Sequence, residues 1–246
     1  MPSKKIEEAF AATARILLGE PIPVLDSCAA WLKREIPPWK EVKTKSGTAM
    51  VPGYAVFPSI SERKLAILAD LDSASTIAFR KDTFDLPSIS AWMKEEGRFS
   101  TDLVEGTNQN VEKCAIYKDL SEAYMCLDCF YSKYIACDWF SDHNDHIFGC
   151  HLTFNSSYCF KCYNSNNLSR CFECDSCSKC SDSYFCHDCE NLQNCMFCFN
   201  VNNLRYAVAN VVVGKEKFER LKKELLATVV QQLRKNGSSP LSIYNF

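Results

Sequence analysis

Residues 159–198 read CFKCYNSNNLSRCFECDSCSKCSDSYFCHDCENLQNCMFC, and the spacing of the cysteines in this stretch decides the fold. Of the fifteen cysteines between Cys114 and Cys198, fourteen fall at residue numbers divisible by three, with Cys137 the exception. A random scatter would put about a third of them there, so the phase signals a repeat. A longer period of twelve runs through Cys114, Cys126, Cys150, Cys162, Cys174, Cys186 and Cys198, broken only by Asp138. The other positions of that phase carry Leu, Ser, Cys, Ala, Ile or Val almost throughout, as at Leu120, Ala123, Ile147, Ser165, Leu168 and Val201. Asp138 is the one charged residue among them, and every other charge of the segment falls between the columns.

Every third residue is therefore expected to point inward around a narrow axis that admits only small or apolar side chains. Cysteine suits such an axis because it is small, hydrophobic and often fully buried even when unbonded. Twelve residues are too few for a helix pair, so each coil has to be extended segments joined by tight corners, with backbone hydrogen bonds to the coils above and below. Asn and Asp tolerate corner conformations, and Asn155, Asn164, Asn166, Asn167, Asp188, Asn191, Asn200, Asn202 and Asn203 lie between the columns. About eight coils at roughly 4.8 Å each make a rod of around 40 Å. The unit Asp138–Gly149 departs from the pattern, with Cys137 out of phase beside it, and is expected to bulge or loop out.

A second column, Tyr124, Phe148, Phe160, Phe172 and Tyr184, followed by Met196 and Val208, lies outside the inward phase. An aromatic stripe on the outside of a rod needs a cover, because large exposed apolar patches are uncommon on monomers. The chain's own C-terminal helix or first domain is the plainer cover. A partner or a second copy is the other, and it makes Phe148, Phe160, Phe172 and Tyr184 the expected interface.

The flanking segments complete an expected fold of an α+β docking domain (1–113), a cysteine-lined β-solenoid (114–213), and a capping helix with an apolar tail (214–246). Ile6, Phe10, Thr13 and Leu17 have helical spacing ended by Gly19, Pro21 and Pro23. A short helix is expected over Ser27–Glu35. Glu41–Phe57 reads as a hairpin around Lys45-Ser46-Gly47-Thr48, with Pro52 placing its second strand at an edge. Ser61–Ala69 is ambiguous, Thr76–Arg80 is strand-like, and Ser88–Glu96 is a capped helix. Lys215–Lys235 is a long helix with Phe218, Leu221, Leu225, Val229 and Leu233 on one side, closed by Gly237 and the first candidate to cap the solenoid. The tail Ser238–Phe246 either adds as a strand to a neighbouring subunit or folds back on its own chain.

The net charge of −2 gives no field that points to nucleic acid or anionic membrane. No run of eighteen apolar residues exists, and Glu7 and Glu8 interrupt the region where a signal peptide would be apolar, so a cytoplasmic site of synthesis is expected. No phosphate loop, nucleophile elbow or dinucleotide fingerprint is present, and no enzymatic activity is expected. Sixteen cysteines leave thiol packing, disulfides and metal ligation open. If zinc is bound, its ligands come from the pairs Cys159/Cys162, Cys171/Cys174, Cys186/Cys189 and Cys195/Cys198, but the solenoid period produces the same spacing by itself. Cys177/Cys180 and Cys126/Cys129 repeat it too. His143 and His146 lie with Asp142 and Asp145 in the irregular unit, as a borderline metal site or a polar loop. His151 and His187 are expected to face solvent, and Asp70 and Asp72 to share an exposed face.

The twelve-residue coil is similar to the small β-solenoid of beetle antifreeze proteins, which also point Cys, Ser and Ala inward. The ice-binding Thr-x-Thr array of that family is missing here, so only geometry is implied. Cys186–Phe218 (CHDCENLQNCMFCFNVNNLRYAVANVVVGKEKF) resembles the end of C-x-x-C-repeat proteins of unknown function found in bacterial and viral genomes. That resemblance reaches from Cys114 to about Phe218 and brings no activity. The expected function is a structural or docking component of a larger assembly, such as a virion, with protein subunits as partners. The competing class is a zinc-binding or redox-responsive thiol protein.

Overall fold

The computed structural model describes residues 2–35, 42–43, 47, 49–50, 60–68, 71, 85–100, 103–114, 116–126, 129–130, 145–151, 157–165, 167–176 and 178–245. In chain order the elements are α1 (Lys4–Leu18), α2 (Leu25–Leu32), β1 (Val42–Lys43), β2 (Ala49–Met50), β3 (Leu65–Ala66), α3 (Leu86–Glu96), β4 (Phe99–Ser100) and β5 (Leu103–Glu105). There follow β6 (Gln109–Glu112), β7 (Ile116–Lys118), β8 (Ser121–Tyr124), β9 (Cys129–Phe130), β10 (Asp145–His151), β11 (Ser157–Asn164) and β12 (Phe172–Asp175). The chain ends with β13 (Tyr184–His187), β14 (Gln193–Met196), β15 (Arg205–Val208), β16 (Val211–Val212) and α4 (Lys215–Asn236).

Two compact units emerge, one of residues 1–38 with 105–246, the other of residues 39–104. The partition cuts across the sequence-derived boundary at 113, because α1 and α2 pack on solenoid strands and the coil pairing already begins at β6. In the smaller unit β1 and β2 pair antiparallel, as expected of a hairpin, and β3 pairs parallel with β4. Asp85 caps α3 by accepting from the Ser88 N–H at 2.8 Å. Pro52, Asp70, Asp72 and Thr76–Arg80 fall outside the described residues.

The larger unit is a β-solenoid whose coils repeat every twelve residues. Strands β10 to β15 pair parallel in sequence order, and Phe148, Phe160, Phe172, Tyr184, Met196 and Val208 stand opposite one another in successive strands. The described part amounts to about six turns. Within the unit expected to bulge, Asp145 through Gly149 keep the register, and a slip comes just beyond it, between Cys150 and His151, which pairs with Asn164. Residues 138–144 fall outside the described residues.

The corners follow a rule that the composition conceals. Positive φ is found at Lys113, Asp119, Glu122, Met125, Lys161, Glu173, Phe185, Phe197 and Tyr206 as well as at Asp188, Asn191, Asn200 and Asn203. Among the described residues, every non-glycine residue with positive φ except Asn210 directly precedes a position of the three-residue phase. Asn164, Asn167 and Asn202, expected at corners, do not adopt it. A left-handed L residue costs roughly 1–2 kcal/mol, so each corner needs compensation. The corner N–H groups supply part of it by donating to the coil before, as Phe197 does to the Tyr184 carbonyl at 3.1 Å and Asn203 to Glu190 at 2.9 Å.

Helix α1 buries Ile6, Phe10, Thr13 and Leu17 as its spacing predicts, and ends at Gly19 with φ 81°. Helix α4 buries Phe218, Leu226, Val229, Val230 and Leu233. It packs against β14 and β15, and its Lys222 ammonium lies over the Tyr184 ring. Strand β16 folds back antiparallel on β15 at the last coil. Asn210 accepts from the Phe199 N–H at 2.9 Å and donates to its carbonyl at 3.0 Å. Among the described residues no helix is long and apolar enough to cross a membrane.

Candidate functional site

The axis is built from thiols that do two jobs. Cys126, Cys162, Cys174, Cys186 and Cys198 are buried, Cys114 is half-buried at one end, and Cys150 pairs with Cys162 in register. The thiol at an inward position donates across the left-handed corner to the carbonyl two residues back, as in Cys171 to Ser169 (3.5 Å), Cys180 to Ser178 (3.4 Å) and Cys189 to His187 (3.1 Å). Several reach the next coil as well, such as Cys174 to Ser183 and Cys195 to Leu204, both at 3.4 Å. Ser165 and Ser183 make the same bond two residues back at 3.0 Å, which explains why serine alternates with cysteine in the columns. Cysteine combines the local donor with an apolar body, so it satisfies a corner carbonyl without burying a strongly polar hydroxyl.

The aromatic row is covered from within, which corrects its assignment as an interface with another chain. Phe148, Phe160, Phe172 and Tyr184 are all buried. The Phe10 ring of α1 lies 5.0 Å from Phe148 and 5.5 Å from Phe160, and Trp31 of α2 lies 6.3 Å from Phe160 and 5.8 Å from Phe172. Tyr184 donates to the Leu17 carbonyl and Tyr124 to Asp26. The apolar faces of α1 and α2 and the stripe hide one another, the outcome favoured by burial of aromatic area.

Sequence reasoning put every charge of the segment except Asp138 between the columns, with no partner assigned to any of them. Lys161 and Glu173 form a fully buried ion pair at 3.0 Å, with Tyr163 donating to the same carboxylate oxygen at 3.3 Å and the Lys161 ammonium over the Trp31 ring. Burial pulls the Lys161 amine below its usual value, against the opposing pull of Glu173. Oε2 of Glu173 and Nε1 of Trp31 are buried without a hydrogen-bond partner. The signal that would have found the pair is complementary chemistry at a spacing of twelve. It recurs in Arg170 with Asp182 (2.9 Å), His187 with Asp175 (2.6 Å) and Asn110 with Glu122 (2.7 Å).

At the C-terminal end of the solenoid lies a groove of about 590 Å³ lined by Phe185, His187, Phe197, Cys198, Phe199, Asn200, Ala209, Ile243 and Tyr244. The described tail folds back on its own chain to form one wall: Ser239 and Ser242 are buried, and Arg34 donates to the Ser239 carbonyl at 2.6 Å. His187 is exposed as expected, yet held by Asp175. Phe199 is 54% exposed, and Val211 and Val212 of β16 are each 62% exposed.

Among the described residues no group of three or more His, Cys, Asp or Glu side chains is placed to hold a metal ion. Cys159, Cys162, Cys171, Cys174, Cys186, Cys189, Cys195 and Cys198 are free thiols distributed along the axis. Of the set Asp142, His143, Asp145 and His146, the first two lie outside the described residues. Compared with known protein families, curated proteins and solved structures, the chain gives no match.

Proposed function

We propose that this chain is a non-enzymatic architectural subunit that docks on a second copy of itself through the β16 end of the solenoid, within a larger assembly such as a virus particle. The observation that carries the reading is the exposure of Val211, Val212 and Phe199 around the last strand, on a molecule whose other aromatic row is sheathed by its own helices. An edge strand with apolar side chains is a template for pairing. Antiparallel pairing of β16 with its twofold mate is self-complementary, the arrangement that closes a dimer. The thiols support the same reading, because the described inward thiols from Cys159 to Cys198 donate to main-chain carbonyls in a packed axis.

Sedimentation of the full chain tests it. A dimer is expected, and V212K should yield a monomer with unchanged thermal stability. A wild-type chain that stays monomeric at high concentration overturns the self-docking reading. Metal analysis with thiol counting separates the thiol-metal alternative: sixteen free thiols without zinc accord with the packing role, and stoichiometric zinc refutes it.

A further inference from the structure

In the last coils one left-handed corner recurs at a spacing of twelve and is held by Phe185, Phe197 and then Ala209, with φ of 53°, 54° and 49°. The bonds that fix these corners repeat as well: the Phe197 N–H donates to the Tyr184 carbonyl at 3.1 Å and the Ala209 N–H to the Met196 carbonyl at 3.0 Å. Equal backbone at equal register sends the three side chains the same way, one above another at the coil spacing of roughly 4.8 Å. Phe185 and Phe197 accordingly stack, with ring centroids 5.6 Å apart and planes 20° from parallel. At the third step the ring gives way to a methyl group, and the groove of about 590 Å³ opens beside both Phe197 and Ala209.

Another wall of the groove is pinned. Buried Asp175 holds Nδ1 of His187 at 2.6 Å and accepts from Ser176 at 3.0 Å, and the Tyr244 hydroxyl of the tail bonds to the same carboxylate. The Tyr244 ring lies 6.4 Å from that of His187 and 5.9 Å from that of Tyr163. A preformed, mainly apolar cavity of roughly 300–1,000 Å³ with a few fixed polar groups is the usual form of a small-molecule site. No Lys, Arg, Asp or Glu stands among the described lining residues, which favours a ligand without charge.

We propose that the groove binds an uncharged planar aromatic molecule, whose ring lies on Phe197 over Ala209 as the next member of the column. Offset stacking gives such a ring a gain beyond the burial of apolar area, and a saturated ring of the same size lacks it. The small side chain of Ala209 is what leaves the step open. The site is complete within one chain and does not depend on the β16 contact, since Val211 and Val212 are not part of its lining.

Saturation-transfer NMR on the full chain tests this with indole and with the matched pair benzyl alcohol and cyclohexylmethanol. Indole and benzyl alcohol are expected to bind, and cyclohexylmethanol to bind about fivefold or more weakly than benzyl alcohol. A209F supplies the third ring from the chain itself. The backbone there matches that of Phe185 and Phe197, so the melting temperature should hold while indole affinity falls by about tenfold or more. F197A should weaken indole by about tenfold, and V212K should bind it as wild type does. No indole binding by the wild-type chain, equal binding of the two alcohols, or an A209F or F197A chain that binds like wild type overturns the proposal. Binding by V212K alone would put a second copy in the groove and overturn it as well.

Discussion

Replacing Phe160 with alanine measures whether the aromatic row is an internal seam. The ring is fully buried, with Phe10 at 5.5 Å, Phe148 at 6.1 Å, Trp31 at 6.3 Å and Phe172 at 6.4 Å. Truncating a buried phenylalanine costs roughly 3–5 kcal/mol, and aromatic pairs add about 0.5–1.5 kcal/mol each, which puts this site in the upper half of the range. With a urea slope of about 2 kcal/mol per molar, a loss near 4 kcal/mol lowers the unfolding midpoint by about 2 M. Trp31 touches the ring and reports the transition by its fluorescence. A midpoint shift under about 0.5 M with an unchanged slope would refute the seam, because so small a loss fits a ring facing solvent or a missing partner.

Three further substitutions probe other parts of the scaffold. E173A strands the Lys161 charge and should cost roughly 3–5 kcal/mol, whereas K161M with E173L should recover most of it in the same urea assay. G149A should destabilise by more than about 1 kcal/mol, since φ is +79° and the added Cβ would meet the Leu32 carbonyl oxygen at 2.8 Å; a neutral outcome in thermal melting would refute the contact between β10 and α2. Burial pushes the Glu122 carboxyl up, but hydrogen bonds from Lys5, Asn110 and Ser3 outweigh it and hold it below the ordinary glutamate value. Its contribution is therefore present at neutral pH and is lost as pH falls below about 4. E122Q should flatten the acid limb of stability against pH while leaving the shape above pH 6 unchanged.

The solenoid was legible because its signal is arithmetic: one inward residue in three, repeated at twelve, survives the exchange of Cys for Ser, Leu or Ala. Helices α1 and α4 were legible from apolar spacing and from Gly19 and Gly237, and α3 as a capped stretch over Ser88–Glu96, although it begins at Leu86 with Asp85 as its cap. The corners were legible only in part, at Asp188, Asn191, Asn200 and Asn203. Left-handed backbone at Phe185, Phe197 and Lys161 is imposed by hydrogen bonds between coils and by the thiol that follows, and local propensity favours Asn instead. The cover of the aromatic row was named as one of two outcomes, since sequence spacing marks a face without saying what meets it. The ion pair of Lys161 and Glu173 was hidden because a charge between columns reads as solvated until α2 is laid over it.

A coil that returns to its own register sets the terms on which such a chain can lengthen or shorten. Duplicating or deleting twelve residues adds or removes a whole layer and leaves sulfur over sulfur and ring over ring. A change of three keeps the axis intact but would carry Lys161 away from Glu173 and Phe160 away from Phe172. A change of one turns the axis inside out for every layer that follows. Between Cys150 and His151 the partner spacing passes from twelve to thirteen, yet Cys150, Cys162 and Cys174 keep their count of twelve, so a local slip in pairing is absorbed without moving the axis.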